Sequence, residues 1–255
     1  RVVESYVLRQ ATATRELGEY VAVMRMPGLD GLALLGWLLV LAPMAAWRSR
    51  WAVVAAASGR GAPLPARTVV LWRTIVLLAV LLWVSVVIAG RIGFGVFTYG
   101  PMPLAGWALG AVVLVACLSV RSITRALTSD AERAIAARRA WAPQTARERW
   151  LYVGAAMLAG IAEEAAYRGV GWQVLSWTLG DRSIVAMWTL SVAFALAHRV
   201  QGWMAMVGVG VMAVLMHLLV WRTETLLVAM VVHVAYDLLA GLAGPWRSAD
   251  SHSPA

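Results

Sequence analysis

Runs of apolar residues long enough to cross a bilayer recur along this chain, and that recurrence limits the fold more than any other feature. The runs cover residues 31–47, 74–90, 104–120, 150–167, 183–198, 202–221 and 225–244. A hydrocarbon core about 30 Å thick needs about 20 residues of helix per crossing. Inside it every backbone N–H and C=O must find a partner in the protein, which leaves only helices and closed barrels. Barrel strands alternate polar and apolar side chains, whereas these runs are continuous. The expected fold class is therefore all-α, a polytopic membrane helix bundle of about seven transmembrane helices. Composition agrees: 61% of the residues are hydrophobic and 14% charged, a balance far from that of a soluble domain.

The charges organise these runs. The connection 48–73 carries five arginines and no acid, and the connection 121–149 is again rich in arginine, whereas 91–103 holds only Arg91. The positive-inside rule places the two arginine-rich connections in the cytoplasm, the N-terminus outside and the C-terminus inside. The formal net charge of +9 thus belongs to segments that meet anionic lipid head groups, and no nucleic-acid partner is expected. All 22 basic residues are arginine, so the chain has no lysine to hold retinal as a Schiff base.

Five segments follow. Residues 1–28 form an N-terminal tail or interfacial helix, with no short apolar signal-peptide core. Residues 29–120 hold three transmembrane helices, 121–149 a charged cytoplasmic loop, 150–244 the helices that carry the chemistry, and 245–255 a C-terminal tail. Residues 51–57 read as an interfacial or re-entrant piece. The single cysteine, Cys117, reads as a small packing residue.

Ionisable residues inside membrane helices cost roughly 2.5–3.5 kcal/mol on insertion scales and mark functional sites by default. The fourth run ends in Ala162-Glu163-Glu164-Ala165-Ala166-Tyr167-Arg168. On a helix Glu164 and Arg168 share a face, so they should neutralise each other as a structural ion pair, while Glu163 points elsewhere and stays available. The fifth run ends in Phe194-Ala195-Leu196-Ala197-His198, and the seventh contains His233-Val234-Ala235-Tyr236-Asp237. Asp237 lies one turn beyond His233, where its carboxylate could accept the imidazole N–H and set the tautomer. His217 has no acidic partner at helical spacing and reads as a packing residue. For His198 and His233 to meet Glu163, the fourth crossing must extend past Tyr167, which the uncharged stretch 169–180 permits.

These motifs resemble the CPBP intramembrane proteases, which include the type II CAAX prenyl endopeptidases and the bacterial Abi proteins. The pattern is Glu-Glu-x-x-x-Arg, then Phe-x-x-x-His, then His-x-x-x-Asn/Asp, matched here by Glu163, Glu164 and Arg168, by Phe194 and His198, and by His233 and Asp237. The resemblance covers about residues 150–243. It implies a multi-pass protein of the bacterial cell membrane that hydrolyses a peptide bond of a membrane-associated peptide or protein, such as a lipidated or leader peptide. Glu163 would activate a water, with His198 and His233 orienting it or stabilising the oxyanion. Glu163, His198 and His233 could instead hold a zinc ion, since three protein ligands and an open position make a catalytic zinc site, although His-Glu-x-x-His is absent. Where the family often has Asn, this chain has Asp237.

Other chemistries fit worse. The nearest string to a rhomboid serine motif, Ala56-Ala57-Ser58-Gly59, lies in an arginine-flanked loop, and the Tyr-Asp and Gly-Asp strings occur in the wrong order for a presenilin-type site. An ion-coupled transporter would show two matching halves, and none is visible. A non-catalytic scaffold or immunity protein of the same fold would not need Glu163 and His198, which are both present.

Overall fold

A computed structural model describes residues 28–97, 102–132 and 143–242. The expected terminal tails and the middle of the charged connection 121–149 lie outside the described residues, apart from Gly28. The described chain is helical: α1 (Leu29–Ala57), α2 (Arg67–Ile92), α3 (Leu104–Ala126), α4 (146–178), α5 (Ser183–Ala197), α6 (Trp203–Thr223) and α7 (Leu226–Leu242). By length and hydropathy α1, α2, α3 and α6 can each cross a membrane, and α5 and α7 are shorter apolar helices. The expectation of about seven spans thus rests on four full-length apolar helices, two shorter ones and α4, whose charged residues sit in its middle.

Two of the helices contain a widened π turn, and each has a local cause. In α1 it covers Trp37–Leu41, ending two residues before Pro43. Proline lacks the N–H for the i−4 bond and its ring clashes with that carbonyl; a π turn there lets the helix continue. Residues 51–57, expected as an interfacial piece, simply extend α1 to Ala57. In α4 the regular helix Ala146–Glu163 passes into a π segment, Glu164–Gly171, and then into Trp172–Thr178. Glu163, Glu164, Gly171 and Trp172 all keep right-handed helical torsions across the joins. The element therefore continues past Tyr167 to Thr178, eleven residues beyond the run at 150–167. Its start is a capping box, in which Thr145 accepts from Glu148 N–H and Glu148 accepts from Thr145 N–H, so two of the unpaired N–H groups of the first turn are satisfied.

Two pairs of packed helices, α2 with α4 and α3 with α7, run parallel. Arg67 at the start of α2 donates to Gln144 just before α4, and at the far ends Phe94 lies beside Gly169. Gly110 of α3 faces Val228 and Val232, and Arg121 reaches Ala240 O at 2.7 Å, so α3 and α7 run the same way. Trp47, Trp51, Trp72, Trp150 and Trp203 are all exposed and share the end of the bundle that carries the arginine-rich connections. Tryptophans at one level form the aromatic belt of a membrane interface. The lipid-facing helices α1, α2 and α3 are only 28%, 28% and 22% buried over their apolar windows, whereas α6 is 50% buried and central.

Glycine sets how closely α4 and α7 approach. A Cβ on Gly160 would sit 2.9 Å from the backbone nitrogen of Val234 and 2.5 Å from its Cγ2. In lipid, where apolar burial does not drive helices together, such close backbone packing is a main source of association. Gly154, nearly two turns earlier on α4, faces open space, with nothing within 4 Å of where a Cβ would stand. Gly160→Ala should therefore lower the melting temperature in detergent by overpacking worth about 1–3 kcal/mol and reduce activity. Gly154→Ala should do neither, and thermal unfolding of the two variants beside wild type checks this.

Candidate active site

The middle of α4 sends two adjacent carboxylates to different environments. Glu164 is fully buried, and its Oε1 lies 3.1 Å from Arg168 Nη1. The same oxygen accepts from His233 Nδ1 at 2.7 Å. Arg168, also fully buried, donates through Nη2 to Ala213 O at 3.3 Å, and its guanidinium carbon stands 4.5 Å above the centre of the Phe194 ring. The expected pairing of Glu164 with Arg168 is present, and a third member, His233 from α7, joins it.

Glu163 faces the other way and its side chain keeps 18% exposure. Its Oε2 lies 3.8 Å from His233 Nε2, and Asp237 Oδ2 lies 3.8 Å from the same nitrogen. Both separations exceed a direct hydrogen bond and suit a bridging water. Helical spacing alone would have Asp237 accept the N–H that fixes the His233 tautomer. In the structure Glu164 occupies that position, because α4 crosses α7 on the Nδ1 side of the ring. Asp237, one turn beyond His233 on α7, reaches only the Nε2 side.

His198 caps the end of α5 and turns its Nδ1 onto Phe194 O at 2.8 Å. A ring nitrogen facing a carbonyl must be the protonated one, so the neutral imidazole presents Nε2 as an acceptor. Its electrostatic neighbours are Asp237, His233 and Arg168, so it belongs to the same cluster. Phe194 is the common wall, with ring centroids 4.5 Å from His198, 6.3 Å from His233 and 4.8 Å from Tyr167. The phenylalanine of the Phe-x-x-x-His motif thus packs against both histidines and the arginine.

The site has two layers. Glu163, His198 and Asp237 are partly exposed; Glu164, Arg168 and His233 are buried behind them. His217, read as a packing residue, is fully buried with Nδ1 3.0 Å from Ala213 O and 3.3 Å from Ser191 Oγ. Sequence reasoning missed Tyr152 and Arg121. Tyr152 donates to the backbone oxygen of Asp237 at 2.8 Å, and Arg121 reaches the last turn of the same helix. No spacing rule links residues on different helices, so only the packing reveals these partners. Among the described residues no group of three His, Cys, Asp or Glu side chains stands arranged to hold a metal ion. His233 keeps Nε2 on the Glu163 side while Nδ1 is held by Glu164.

One family comparison bears on this site. Residues 145–239 match the family described as Type II CAAX prenyl endopeptidase Rce1-like. Over that segment the chain is similar to the CAAX-type intramembrane proteases, in line with the three motifs. No curated protein and no solved structure matches the chain.

The shared carboxylate makes a specific demand on stability. Removing one partner of a buried ion pair leaves the other charge uncompensated, typically at about 3–5 kcal/mol. Glu164→Ala and Arg168→Ala should each sharply reduce the yield of monodisperse protein in detergent. Glu163→Gln, at a partly exposed position whose contacts are long, should keep wild-type yield. Size-exclusion profiles of the three variants provide the measurement.

Proposed function

We propose that the protein is an intramembrane endopeptidase in which Glu163 activates a water for attack on a peptide bond of a lipidated, membrane-associated substrate. The observation that carries this reading is the convergence of Glu163 Oε2 and Asp237 Oδ2 on His233 Nε2, each at 3.8 Å, at the partly exposed face of an otherwise sealed cluster. A water in that gap lies within reach of Glu163, and His198 Nε2 offers a second acceptor beside it. Holding a water between a carboxylate and an imidazole fixes which lone pair points outward and removes most of the orientational cost of attack.

In the reaction Glu163 takes one proton from the water as its oxygen bonds to the scissile carbonyl carbon. Negative charge then develops on the former carbonyl oxygen. His233, held through Nδ1 by Glu164, stabilises that oxygen from Nε2 when it carries a proton there, and the carboxylates around the ring balance the imidazolium charge. When the tetrahedral intermediate collapses, the C–N bond breaks and Glu163 returns its proton to the leaving amine. Asp237 acts on the reacting side of His233, as an acceptor that helps hold the water. Every step uses groups of this chain, and none is routed through a metal.

The arginine-rich end of the bundle is the cytoplasmic end in this reading, with the N-terminus outside. Purified wild type should cleave a lipidated peptide that Glu163→Ala leaves intact, and cleavage should survive prolonged dialysis against a zinc chelator. Cleavage lost on chelation and restored by zinc would replace the glutamate mechanism with a metal one. Absence of cleavage of lipidated and leader-type peptides alike by folded wild type would overturn the hydrolytic reading.

The role of Asp237 has its own test. Asn keeps a carbonyl oxygen that can accept from water, whereas Leu has no acceptor. Asp237→Asn should retain partial turnover and Asp237→Leu should lose most of it, with little change in folded yield. Turnover of the three forms from pH 5 to 9 is the readout. A flat Asn profile above a wild-type profile that rises with acidity would mean that Asp237 donates a proton instead.

A further inference from the structure

Behind the site, helices close on buried polar atoms that the fold itself does not satisfy. Glu164, Arg168 and His217 are fully buried. Each keeps one polar atom with no hydrogen-bond partner among the described residues: Oε2 of Glu164, Nε of Arg168 and Nε2 of His217. The three side chains adjoin. Arg168 Nη1 lies 3.1 Å from Glu164 Oε1, and Arg168 Nη2 and His217 Nδ1 meet the same carbonyl, Ala213 O, at 3.3 and 3.0 Å. Ser191 Oγ of α5 stands 3.3 Å from His217 Nδ1, and the Trp172 ring meets the imidazole edge-on at 5.8 Å between centroids. Cys117 of α3 is an electrostatic neighbour of both Glu164 and Arg168. Further along α4, Gln173 Oε1 and Ser176 Oγ are two more buried atoms without a partner among the described residues.

The chemistry of these atoms defines what would satisfy them. Nδ1 of His217 faces a carbonyl and therefore carries the proton, so Nε2 of the neutral ring is an acceptor that needs a donor. The Tyr167 carbonyl also interacts with this ring and can share that donor. Glu164 Oε2 needs a donor too, whereas Arg168 Nε needs an acceptor. A metal cation would suit the first two atoms and be repelled by the guanidinium; an anion would suit Arg168 alone and be repelled by the carboxylate. Water both donates and accepts and carries no charge. Buried waters typically make about three hydrogen bonds to groups of this kind, and leaving such groups bare in a membrane bundle is costly.

We propose that Glu164 Oε2, Arg168 Nε and His217 Nε2 anchor an internal water-binding site enclosed by α3, α4, α5 and α6. His217 thereby gains a task beyond packing. It holds water against the second oxygen of the carboxylate whose first oxygen aims His233. The site lies beyond Glu164 from His233, away from the reacting face, so it stands apart from the hydrolytic reading above. Gln173 and Ser176 extend the polar demand along α4 toward Thr178.

The test is X-ray radiolysis of the whole chain in detergent, with oxidation read residue by residue by mass spectrometry. Hydroxyl radicals form from water in place and attack the side chains beside it, so a buried residue is oxidised where water is bound next to it. Trp172 and Cys117 are only 9% and 2% exposed, against 77% for Trp150. In wild type both should nevertheless be oxidised at rates approaching that of Trp150. In His217→Leu, which removes the acceptor, oxidation at both should fall severalfold. His217→Gln, whose amide oxygen can still accept from water, should keep most of it. Protection of Trp172 in wild type overturns the proposal without any variant, so a folding defect at His217 leaves the test decisive. Undiminished oxidation of Trp172 in folded His217→Leu also overturns it, since the water would then not be held by His217. The readout needs neither substrate nor turnover, so failure of wild type to cleave peptides would discard hydrolysis and leave this result standing.

Discussion

One oxygen atom, Oε1 of Glu164, accepts from both Arg168 at 3.1 Å and His233 at 2.7 Å in a fully buried setting, and the remaining geometry follows from it. Burying a carboxylate without partners is prohibitive, and so is burying a guanidinium. Placed together in α4 they are tolerable, and the imidazole of α7 adds a strong charge-assisted bond. That bond commits Nδ1 of His233 and therefore aims Nε2 at Glu163 and Asp237. Arg168 in turn presses its guanidinium face on Phe194, whose ring lies against His198. Residues from three helices are thus oriented by one buried charge cluster.

The π segment of α4 lets one stretch of helix serve both layers of the site. Its i→i+5 pairing widens the turn, and it spans Glu164 and Arg168 while Glu163 closes the regular helix before it. Glycine makes the wide turn possible at its far end, where a Cβ on Gly171 would lie 2.5 Å from Ala166 O. Gly160, one turn before the two glutamates, brings α4 onto the backbone of α7. Small residues and a widened turn therefore do for the site what a large apolar core does in a soluble enzyme: they bring rigid elements close enough for short polar contacts. π turns recur at functional positions in helices generally.

The front layer is built differently from the back. Glu163 and Asp237 stand 3.8 Å from His233 Nε2, with neither making a direct hydrogen bond to it. Such spacing leaves Nε2 without a short bond, whereas the short bonds behind it hold the imidazole still. Access to the site and rigidity of the site thus reside in different residues.

Long continuous apolar runs determined that the described chain would be helical, because lipid leaves no other solution for backbone groups without strand alternation. Charges inside those runs marked the residues that cluster in the structure, since a buried ionisable group persists only when it is useful or paired. The Glu164–Arg168 pair was legible because it is local, at one helical turn. The partner of His233 was not. Asp237 sits at helical spacing from it and Glu164 is 69 residues away, so a rule based on spacing along one helix chose the near acid. Tertiary packing chose the far one, because α4 crosses α7 on the Nδ1 side of the ring. The same limit hid the π turn, the length of α4 and the approach of Arg121 to Ala240. Sequence specifies side-chain identity and position along each helix, whereas the rotation of one helix against another arises from close contacts at Gly160 and Gly171, and that rotation decides which polar atoms meet.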